Sequence, residues 1–181
     1  MIVLHTPISD EAISGLNSGD AVYITGKIYT ARDAAHKKIV ELIEAGEKPP
    51  GKKLPFNFNG QAVFYAGPTP AKPPRPIGCI GPTTSGRMDK YSPLLISKGL
   101  KVMIGKGNRN VDVIEAIIKH RGLYLAAIGG VAALMAKTVK SAKVIAFEEL
   151  GTEAVMELEV ENFPAIVAID CRGKNLYGYS P

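Results

Sequence analysis

Cysteine is scarce in this sequence of 181 residues. Cys79 and Cys171 are the two it contains, and they stand far apart along the chain. Two such thiols do not make a disulfide framework, so the composition favours a reducing compartment, and we expect two free thiols in a cytoplasmic protein. The opening residues 1–4 run at once into His5 without a signal-peptide pattern, which favours the same compartment.

Long apolar runs are also absent. The longest apolar segment, residues 123–135, is interrupted by Gly129 and Gly130 and falls short of the ~18 uninterrupted residues typical of a membrane span. We therefore expect a soluble protein that does not enter a membrane. With 46% apolar residues the chain is long enough to bury a core, and we expect a single domain over residues 1–181.

A tract typical of nucleic-acid binding is missing too. The 22 basic residues exceed the 17 acidic ones and give a net charge of +5, but the lysines are scattered and no aromatic residues interleave with them. We expect no nucleic-acid partner, and a mild positive field suits small anions. No Walker A pattern occurs, and Gly105-x-Gly107 has Asn110 where the dinucleotide fingerprint needs a third glycine.

Hydrophobic periodicity divides the chain into strands and helices. Predicted strands cover residues 20–29, 61–66, 77–80, 100–104, 123–128, 143–148, 154–160 and 165–170. Predicted helices lie between Thr30 and Gly46 and over residues 88–98, 110–120 and 131–139, with irregular segments over 48–55 and 67–76. Strands that alternate with helices pair in parallel, and the β segments at the end of the chain make the sheet mixed. We therefore predict an α/β fold with a mixed, partly parallel sheet.

Local signals set several of these boundaries. Thr30 is the expected N-cap of the first long helix, with Asp33 completing a capping box, and Asn110 is the expected cap of a later helix. Gly99 is a typical helix stop. Pro93 requires that the helix over 88–98 kink or end early, because proline lacks the N–H that a helix interior needs.

Three predicted strand-to-helix junctions each carry a positive charge. They cover residues 30–32, 81–87 and 105–108, and their cations are Arg32, Arg87 and Lys106. In α/β sheets, ligands bind beyond the carboxyl ends of the strands, where helix N-termini attract anions. Arginine grips a carboxylate with two hydrogen bonds and lysine adds a point charge, so the three cations together predict a site for a small dianion.

Each of these residues also has an ordinary structural interpretation. A lone arginine in the first turn of a helix is often a solvated surface residue. The hydroxyls of residues 83–85 are suited to helix capping, although a threonine beside Arg87 and a helix N-terminus also suits proton exchange with a substrate. His36 lies one turn after Arg32 on the same helix face, where it is either a packing residue or part of the site.

The cysteines do not predict a metal site in this chain. A lone cysteine such as Cys79 gives no metal-ligand spacing, and a catalytic iron–sulfur cluster with one open iron needs three thiolates. We therefore predict no metal ligands here and interpret Cys79 and Cys171 as structural.

Four segments carry motifs that are specific in combination. They are GDAVYITGKIYTARDAAHKKI (19–39), GCIGPTTSGRMDKYSP (78–93), IGKGN (104–108) and YLAAIGGVAALMAKTVKSAKV (124–144). Together they resemble the β subunit of the iron–sulfur-dependent hydro-lyases, the class I fumarase and L-tartrate dehydratase family. The resemblance covers essentially the whole chain, which corresponds to the C-terminal domain of single-chain fumarases.

The resemblance implies a swivelling β/β/α domain that docks on a separate α subunit, commonly as α₂β₂. Three cysteines of that α subunit would hold a [4Fe–4S] cluster with one open iron. The matched motifs imply Thr83 as the catalytic base, Arg32 and Arg87 as ligands of the substrate carboxylates, and Lys106 as a further carboxylate contact. His36, Thr84 and Asp89 belong to the same motifs and are expected in supporting positions.

The implied activity is the reversible hydration of fumarate to malate, with both catalysis and carboxylate binding shared between subunits. Because such a half-site needs its partner, we expect an exposed patch bearing Arg32, Thr83, Arg87 and Lys106, and no turnover by this chain alone. Three alternatives stay open: an L-tartrate dehydratase β subunit, a methylated dicarboxylate as substrate, and a stand-alone dicarboxylate-binding module without catalysis.

Overall fold

Residues 1–46, 53–127 and 132–178 are described by the structure, a computed structural model. The strands are β1 (Ile2–His5), β2 (Ala21–Thr30), β3 (Ala62–Phe64), β4 (Val102–Gly105), β5 (Leu123–Ala126), β6 (Val139–Ala146) and β7 (Val155–Ile169). The α-helices are α1 (Asp10–Ser14), α2 (Asp33–Glu44), α3 (Ser92–Ser97), α4 (Val111–His120) and α5 (Ala132–Lys137). Two 3₁₀ turns cover Ser85–Met88 and Glu148–Glu153.

One seven-stranded sheet runs through these residues in the order β1-β2-β3-β4-β5-β7-β6. The first five strands pair in parallel, and β7 pairs antiparallel with β2, β5 and β6. The predicted α/β class with a mixed, partly parallel sheet is confirmed. A shared sheet is compatible with the single domain expected for residues 1–181.

Strand β7 closes part of this sheet into a ring. It pairs with β2 along one stretch and with β5 along another, so β2, β3, β4, β5 and β7 form a closed circuit. Phe64 of β3 and Phe163 of β7 meet edge to face inside it, with ring centroids 5.2 Å apart. Alternate residues such as Val63 and Met103 face a second core beneath helices α2, α3 and α4.

The single strand β7 replaces two strands predicted over 154–160 and 165–170, and the prediction of a break was wrong. Asn162 takes a left-handed φ of 53° and its N–H bonds to Thr25 Oγ1 at 3.1 Å. Asparagine tolerates this conformation, so the chain bulges opposite Thr25 and then resumes pairing. A polar interruption that is typical of a turn is here a bulge inside one long strand.

The strand predicted over 77–80 does not form. The N–H groups of Gly78 and Cys79 bond instead to the carbonyl and hydroxyl oxygens of Thr69, at 3.0 and 2.9 Å. Ile77 and Ile80 are buried in the core. The apolar pattern therefore marks burial of this segment. Gly78 and Cys79 bond within the proline-rich connection, and Ile80 N bonds to Ala132 O of α5 at 3.4 Å.

The helix predicted over 88–98 is split into the 3₁₀ turn Ser85–Met88 and helix α3. Pro93 lies in the first turn of α3, where a missing N–H costs no helical hydrogen bond. The predicted stop is confirmed, since Gly99 follows the helix with φ 103°. Asn110 is confirmed as the cap of α4, where its side chain accepts from Val113 N at 3.0 Å.

Thr30 is not an N-cap, which corrects another prediction. It is the last residue of β2, and its hydroxyl accepts a hydrogen bond from Met156 N at 3.2 Å. Helix α2 begins at Asp33 instead, and the carboxylate of Glu153 accepts from Ala34 N at 3.0 Å in its first turn. A partner distant in sequence therefore does the capping that the local pattern assigned to Thr30.

The remaining elements agree with the predictions apart from their ends. Strand β6 begins before the predicted residue 143, and β1 and α1 were not predicted. Residues 67–76 form neither helix nor strand, as predicted. Parts of three predicted segments, residues 48–52, 128 and 131, lie outside the described residues. Within the described ranges, no helix is both long and apolar enough to cross a membrane.

Removal of the Phe163 ring should destabilise the closed core. Phe163 is fully buried, so Phe163→Ala is expected to lower the free energy of unfolding by about 3–5 kcal/mol in urea titrations. Leu134→Ala is the control, because Leu134 is 57% exposed and its loss should change stability by about 0.5 kcal/mol or less. Equal effects of the two substitutions would contradict this assignment of the core.

Candidate functional site

The carboxyl ends of three neighbouring parallel strands form one edge of the sheet. Thr30 of β2 lies beside Phe64 of β3, which in turn lies beside Ile104 of β4. Adjacent strands are about 4.8 Å apart, so the segments that leave these strands emerge side by side. Arg32 and Lys106 stand on two of those segments and are thus brought to the same edge.

Backbone hydrogen bonds attach the segment containing Thr83 to this edge. Thr83 N bonds to Tyr65 O at 2.7 Å, and Lys106 N bonds to Thr83 O at 3.3 Å. Ser85 N returns a bond to Lys106 O at 2.9 Å, so Thr84 pairs with Lys106 as in a short parallel bridge. Thr83 and Lys106, which are far apart in sequence, are therefore neighbours.

Glycine at position 105 permits this close approach. A Cβ at Gly105 would overlap the hydroxyl oxygen of Ser85, a fully buried residue, and would crowd the ring of Tyr65. A side chain here would therefore force the 83–85 segment away from the end of β4. Glycine suits position 105 because the buried Ser85 side chain occupies the space that a Cβ would need.

Arg87 reaches the start of helix α2. Its Nε donates to Asp33 Oδ1 at 2.9 Å, and its side chain is 49% exposed. Arg32, next to Asp33, is more buried, and its terminal NH2 lies 3.4 Å from Glu153 Oε1. Within the described part of the chain, Arg32 Nε is buried without a hydrogen-bond partner.

The segments predicted as junctions, residues 30–32, 81–87 and 105–108, therefore meet at one edge of the sheet, although residues 77–80, directly before 81–87, form no strand. Arg87, Lys106 and Thr84 are exposed there, while Arg32 and Thr83 are partly buried. The segments that carry the three cations and Thr83 are thus neighbours, as a site for a small dianion would need. The chemical roles assigned to these residues stay predictions.

His36 is buried completely on α2, where its ring packs against Tyr65 and Tyr91. Its Nδ1 lies 2.9 Å from Arg32 O, and a carbonyl oxygen can only accept, so Nδ1 carries the proton. The pKa of His36 is lowered to about 4, chiefly because the ring is buried. The charge of Arg109 contributes to this lowering, and the hydrogen bond to Arg32 O opposes it. His36 is therefore a neutral packing residue that also holds the backbone of Arg32.

Asp89 pairs with Arg109, a residue that the sequence analysis missed. Arg109 Nε donates to Asp89 Oδ1 at 2.6 Å, and Asp89 Oδ2 accepts from Asn110 N at 2.7 Å. Burial by itself lowers the pKa of Arg109, but Tyr65 and Asp89 outweigh it and raise the pKa above its ordinary value. Its place between Lys106 and the cap Asn110 was the available signal, but nothing in the local pattern shows that it is buried.

Glu153 is the second residue that the sequence analysis missed. Its carboxylate contacts both Arg32 and the first turn of α2. Its sequence neighbours in the 3₁₀ turn give no sign of this role, because Arg32 lies more than a hundred residues earlier. Only the pairing of β2 with β7 brings the two side chains together.

The described residues offer no cluster of three or more histidine, cysteine or acidic side chains that suits a metal ion. Cys79 is exposed, Cys171 is partly buried, and both are free thiols. Two separate thiols do not fit an iron–sulfur cluster with one open iron, which needs three thiolates. The residues of this chain therefore do not fit such a cluster.

Lowering the pH should reduce the free energy of unfolding, because His36 is buried in its neutral form. Because its folded-state pKa is about 4 and its unfolded pKa about 6.5, the unfolded chain binds more protons between these values. Stability should then fall by up to about 3 kcal/mol as the pH drops from 7 to 4. Urea unfolding of His36→Gln should lack this component, whereas a variant of exposed His5, His5→Gln, should keep it. An identical pH dependence in both variants would contradict the prediction.

Comparison with known proteins identifies a family that this sequence matches. The sequence matches the family model described as Fumarase C-terminus over residues 1–179. It is 42% identical over 176 residues to the putative L(+)-tartrate dehydratase subunit beta of Methanocaldococcus jannaschii, covering 94% of this chain and 88% of that protein.

Fumarate hydratases are similar over a smaller part of their own length. Identity is 44% over 156 residues to the class I, anaerobic fumarate hydratase of Escherichia coli, covering 85% of this chain and 28% of that protein. Identity to fumarate hydratase 2 of Leishmania major is 42% over 161 residues, covering 88% of this chain and 28% of that protein. The chain thus spans about 28% of the length of these two relatives. A family model matched along nearly all of the sequence shows that this chain belongs to the fumarase C-terminus family.

Proposed function

We propose that this chain is the β subunit of a hydro-lyase that hydrates fumarate reversibly to malate. The observation that carries the proposal is the meeting of Arg32, Thr83, Arg87 and Lys106 at the carboxyl edge of β2, β3 and β4. Membership of the fumarase C-terminus family supports the reaction class. The relative named as a subunit beta, which matches along 88% of its own length, supports the assignment to a β subunit.

The cations of the edge would bind the two carboxylates of the substrate. Arg87 uses Nε for Asp33, and within the described part of the chain its terminal nitrogens have no protein acceptor. Those nitrogens are suited to a bidentate contact with a carboxylate, and Lys106, whose backbone pairs with the 83–85 segment, adds an exposed ammonium. Asp33 and Glu153 hold the two arginines in place while no substrate is bound.

Thr83 is the group that we assign to proton transfer. Its backbone is held by Tyr65 and Lys106, so the residue stays at the edge that carries the cations. In the direction from malate to fumarate, removal of a proton from the carbon next to a carboxylate places extra negative charge on that carboxylate. Preorganised cations stabilise this charge, which lowers the barrier that a weakly basic oxygen must otherwise overcome. The hydroxyl group then leaves the adjacent carbon as the double bond forms, so that the proton and the hydroxyl together make water.

We further propose that a separate α subunit completes the site and holds a [4Fe–4S] cluster, in an α₂β₂ assembly. The two thiols of this chain do not fit the cluster, and the exposure of Arg87 and Lys106 is what a half-site would show before its partner covers it. Two free thiols also support a reducing compartment, and we assign the protein to the cytoplasm.

A β subunit of L-tartrate dehydratase is the second candidate. It is favoured by the relative of that name, which matches along 88% of its own length. Tartrate differs from malate by a hydroxyl group, and no residue of the described edge distinguishes the two. A dicarboxylate-binding module without catalysis would share the cations but would bind its ligand without a partner.

Loss of Arg87 should abolish most of the activity of the assembled enzyme. One preorganised donor contributes about 3 kcal/mol to transition-state binding, so Arg87→Ala is expected to lower kcat/KM by about 100-fold or more. The measurement is fumarate hydration by the anaerobically reconstituted complex. Lys119→Ala, an exposed cation on α4, is the control and should keep wild-type kcat/KM. A wild-type kcat/KM for Arg87→Ala would refute the assignment.

A substrate panel separates the candidate functions. The complex should turn over fumarate with a higher kcat/KM than L-tartrate or methylfumarate, and the isolated chain should turn over none of them. A preference for tartrate would replace the proposed substrate. Tight binding of a dicarboxylate by the isolated chain in calorimetry, with no activity of any complex, would instead favour the binding module.

A further inference from the structure

We propose that Arg109 is a positioning residue of the candidate site, which sets the places of Arg87 and Lys106 through its buried pair with Asp89. The inference rests on the proposed function, because it concerns how that site is held in shape. Arg109 belongs to neither of the motif segments that carry Arg87 and Lys106.

The guanidinium of Arg109 is fully enclosed and well partnered. Its side chain has no exposed surface. Nε bonds to Asp89 at 2.6 Å, NH2 bonds to Ser92 Oγ at 2.7 Å, and NH1 lies 3.5 Å from Met103 Sδ. A buried charge with this many contacts has one available position, so it is a rigid point in the structure.

Two tyrosine rings flank the same guanidinium. Its carbon lies 5.3 Å from the ring centroid of Tyr65 and 4.9 Å from that of Tyr124. Arginine suits this place because its planar group contacts aromatic rings and carboxylates together, whereas lysine offers a compact ammonium. Replacement by lysine would keep the charge and lose this geometry.

Asp89 connects this rigid point to both cation-bearing segments. It follows Arg87 by two residues, and its N–H bonds to Gly86 O at 3.2 Å in the turn that carries Arg87. Its second oxygen accepts from Asn110 N, at the end of the segment that begins with Lys106. A single carboxylate thus joins the two loops, and Arg109 holds that carboxylate.

Tyr124 makes a second connection between the same loops. Its phenol oxygen lies 2.8 Å from Gly107 O and 2.9 Å from Ser85 Oγ. A carbonyl accepts only, so the phenol donates to Gly107 and the Ser85 hydroxyl donates to the phenol. Tyr124 packs on Arg109, so loss of the guanidinium would loosen this connection as well.

Exposed cations need such support because their own side chains are mobile. Arg87 and Lys106 reach the solvent, so the backbone beneath them determines where they point. A misplacement of about 1 Å in a catalytic site can cost about 100-fold in rate. Arg109 fixes that backbone from below without itself touching the substrate.

The test is the variant Arg109→Lys in the complex reconstituted with its cluster-bearing partner. We expect kcat/KM for fumarate to fall by about tenfold or more, at a temperature where unfolding curves show the variant folded. The control is Arg121→Lys, because Arg121 is exposed and lies between α4 and β5, at the edge of the sheet opposite to the site. The control should keep kcat/KM within about twofold, as surface changes usually do.

A double-mutant cycle separates positioning from general destabilisation. If Arg109 acts through Lys106, the combined loss of kcat/KM in Arg109→Lys with Lys106→Ala should be smaller than the product of the two single losses. Effects that multiply, or a single variant Arg109→Lys with wild-type kcat/KM, would overturn the inference. If Arg109→Lys does not fold, Ser92→Ala removes one acceptor of the guanidinium, and the same pattern is expected with a smaller loss.

Failure of the proposed function gives a different result. A wild-type complex that turns over none of the dicarboxylates overturns that function, and the inference with it. An active wild-type complex whose Arg109→Lys variant is unaffected overturns the inference alone.

Discussion

The parallel pairing of β2, β3 and β4 is the constraint on which the site depends. Parallel strands all end in the same direction, so the segments after Thr30, Phe64 and Gly105 must leave from one edge. Two strand spacings bring the outer segments within about 10 Å of each other. Antiparallel pairing would have sent the outer and middle segments to opposite edges, and Arg32, Thr83 and Lys106 would not share space.

The burial of each ionisable side chain at this edge determines whether it is paired, neutral or left in contact with solvent. The fully buried cation, Arg109, is paired with Asp89, as the cost of an isolated buried charge requires. His36, equally buried but without an acidic partner, is neutral. Arg87 and Lys106 remain in contact with solvent, where their charge can be kept without full pairing. The cations suited to a ligand are thus the ones that the fold leaves near the surface.

Exposure also explains why such a site would need a partner. Charge interactions in open water are weak, because the high dielectric constant and salt screen them. A surface that covers the edge would lower the local dielectric constant and strengthen each contact between cation and carboxylate. The proposed α subunit would supply this cover as well as the cluster that the two thiols of this chain do not fit.

Local signals determined much of the secondary structure and the choice of candidate cations. Asn110 caps α4 through a residue three positions away, and Gly99 ends α3 through its own backbone freedom, so both could be predicted from the sequence. Residues 77–80 show the limit of such signals. Their apolar pattern indicated the burial of Ile77 and Ile80 correctly, but Gly78 and Cys79 bond to Thr69, and the predicted strand does not form.

The tertiary structure alone decided which distant residues support the site. Arg32 meets Glu153, Asp89 meets Arg109, and β7 continues through Asn162 because the sheet closes around it. A sequence shows which residues carry charge, but burial and pairing arise when separate elements pack together. The residue types at the site could therefore be predicted from local pattern, whereas their support depends on contacts between elements that no local pattern encodes.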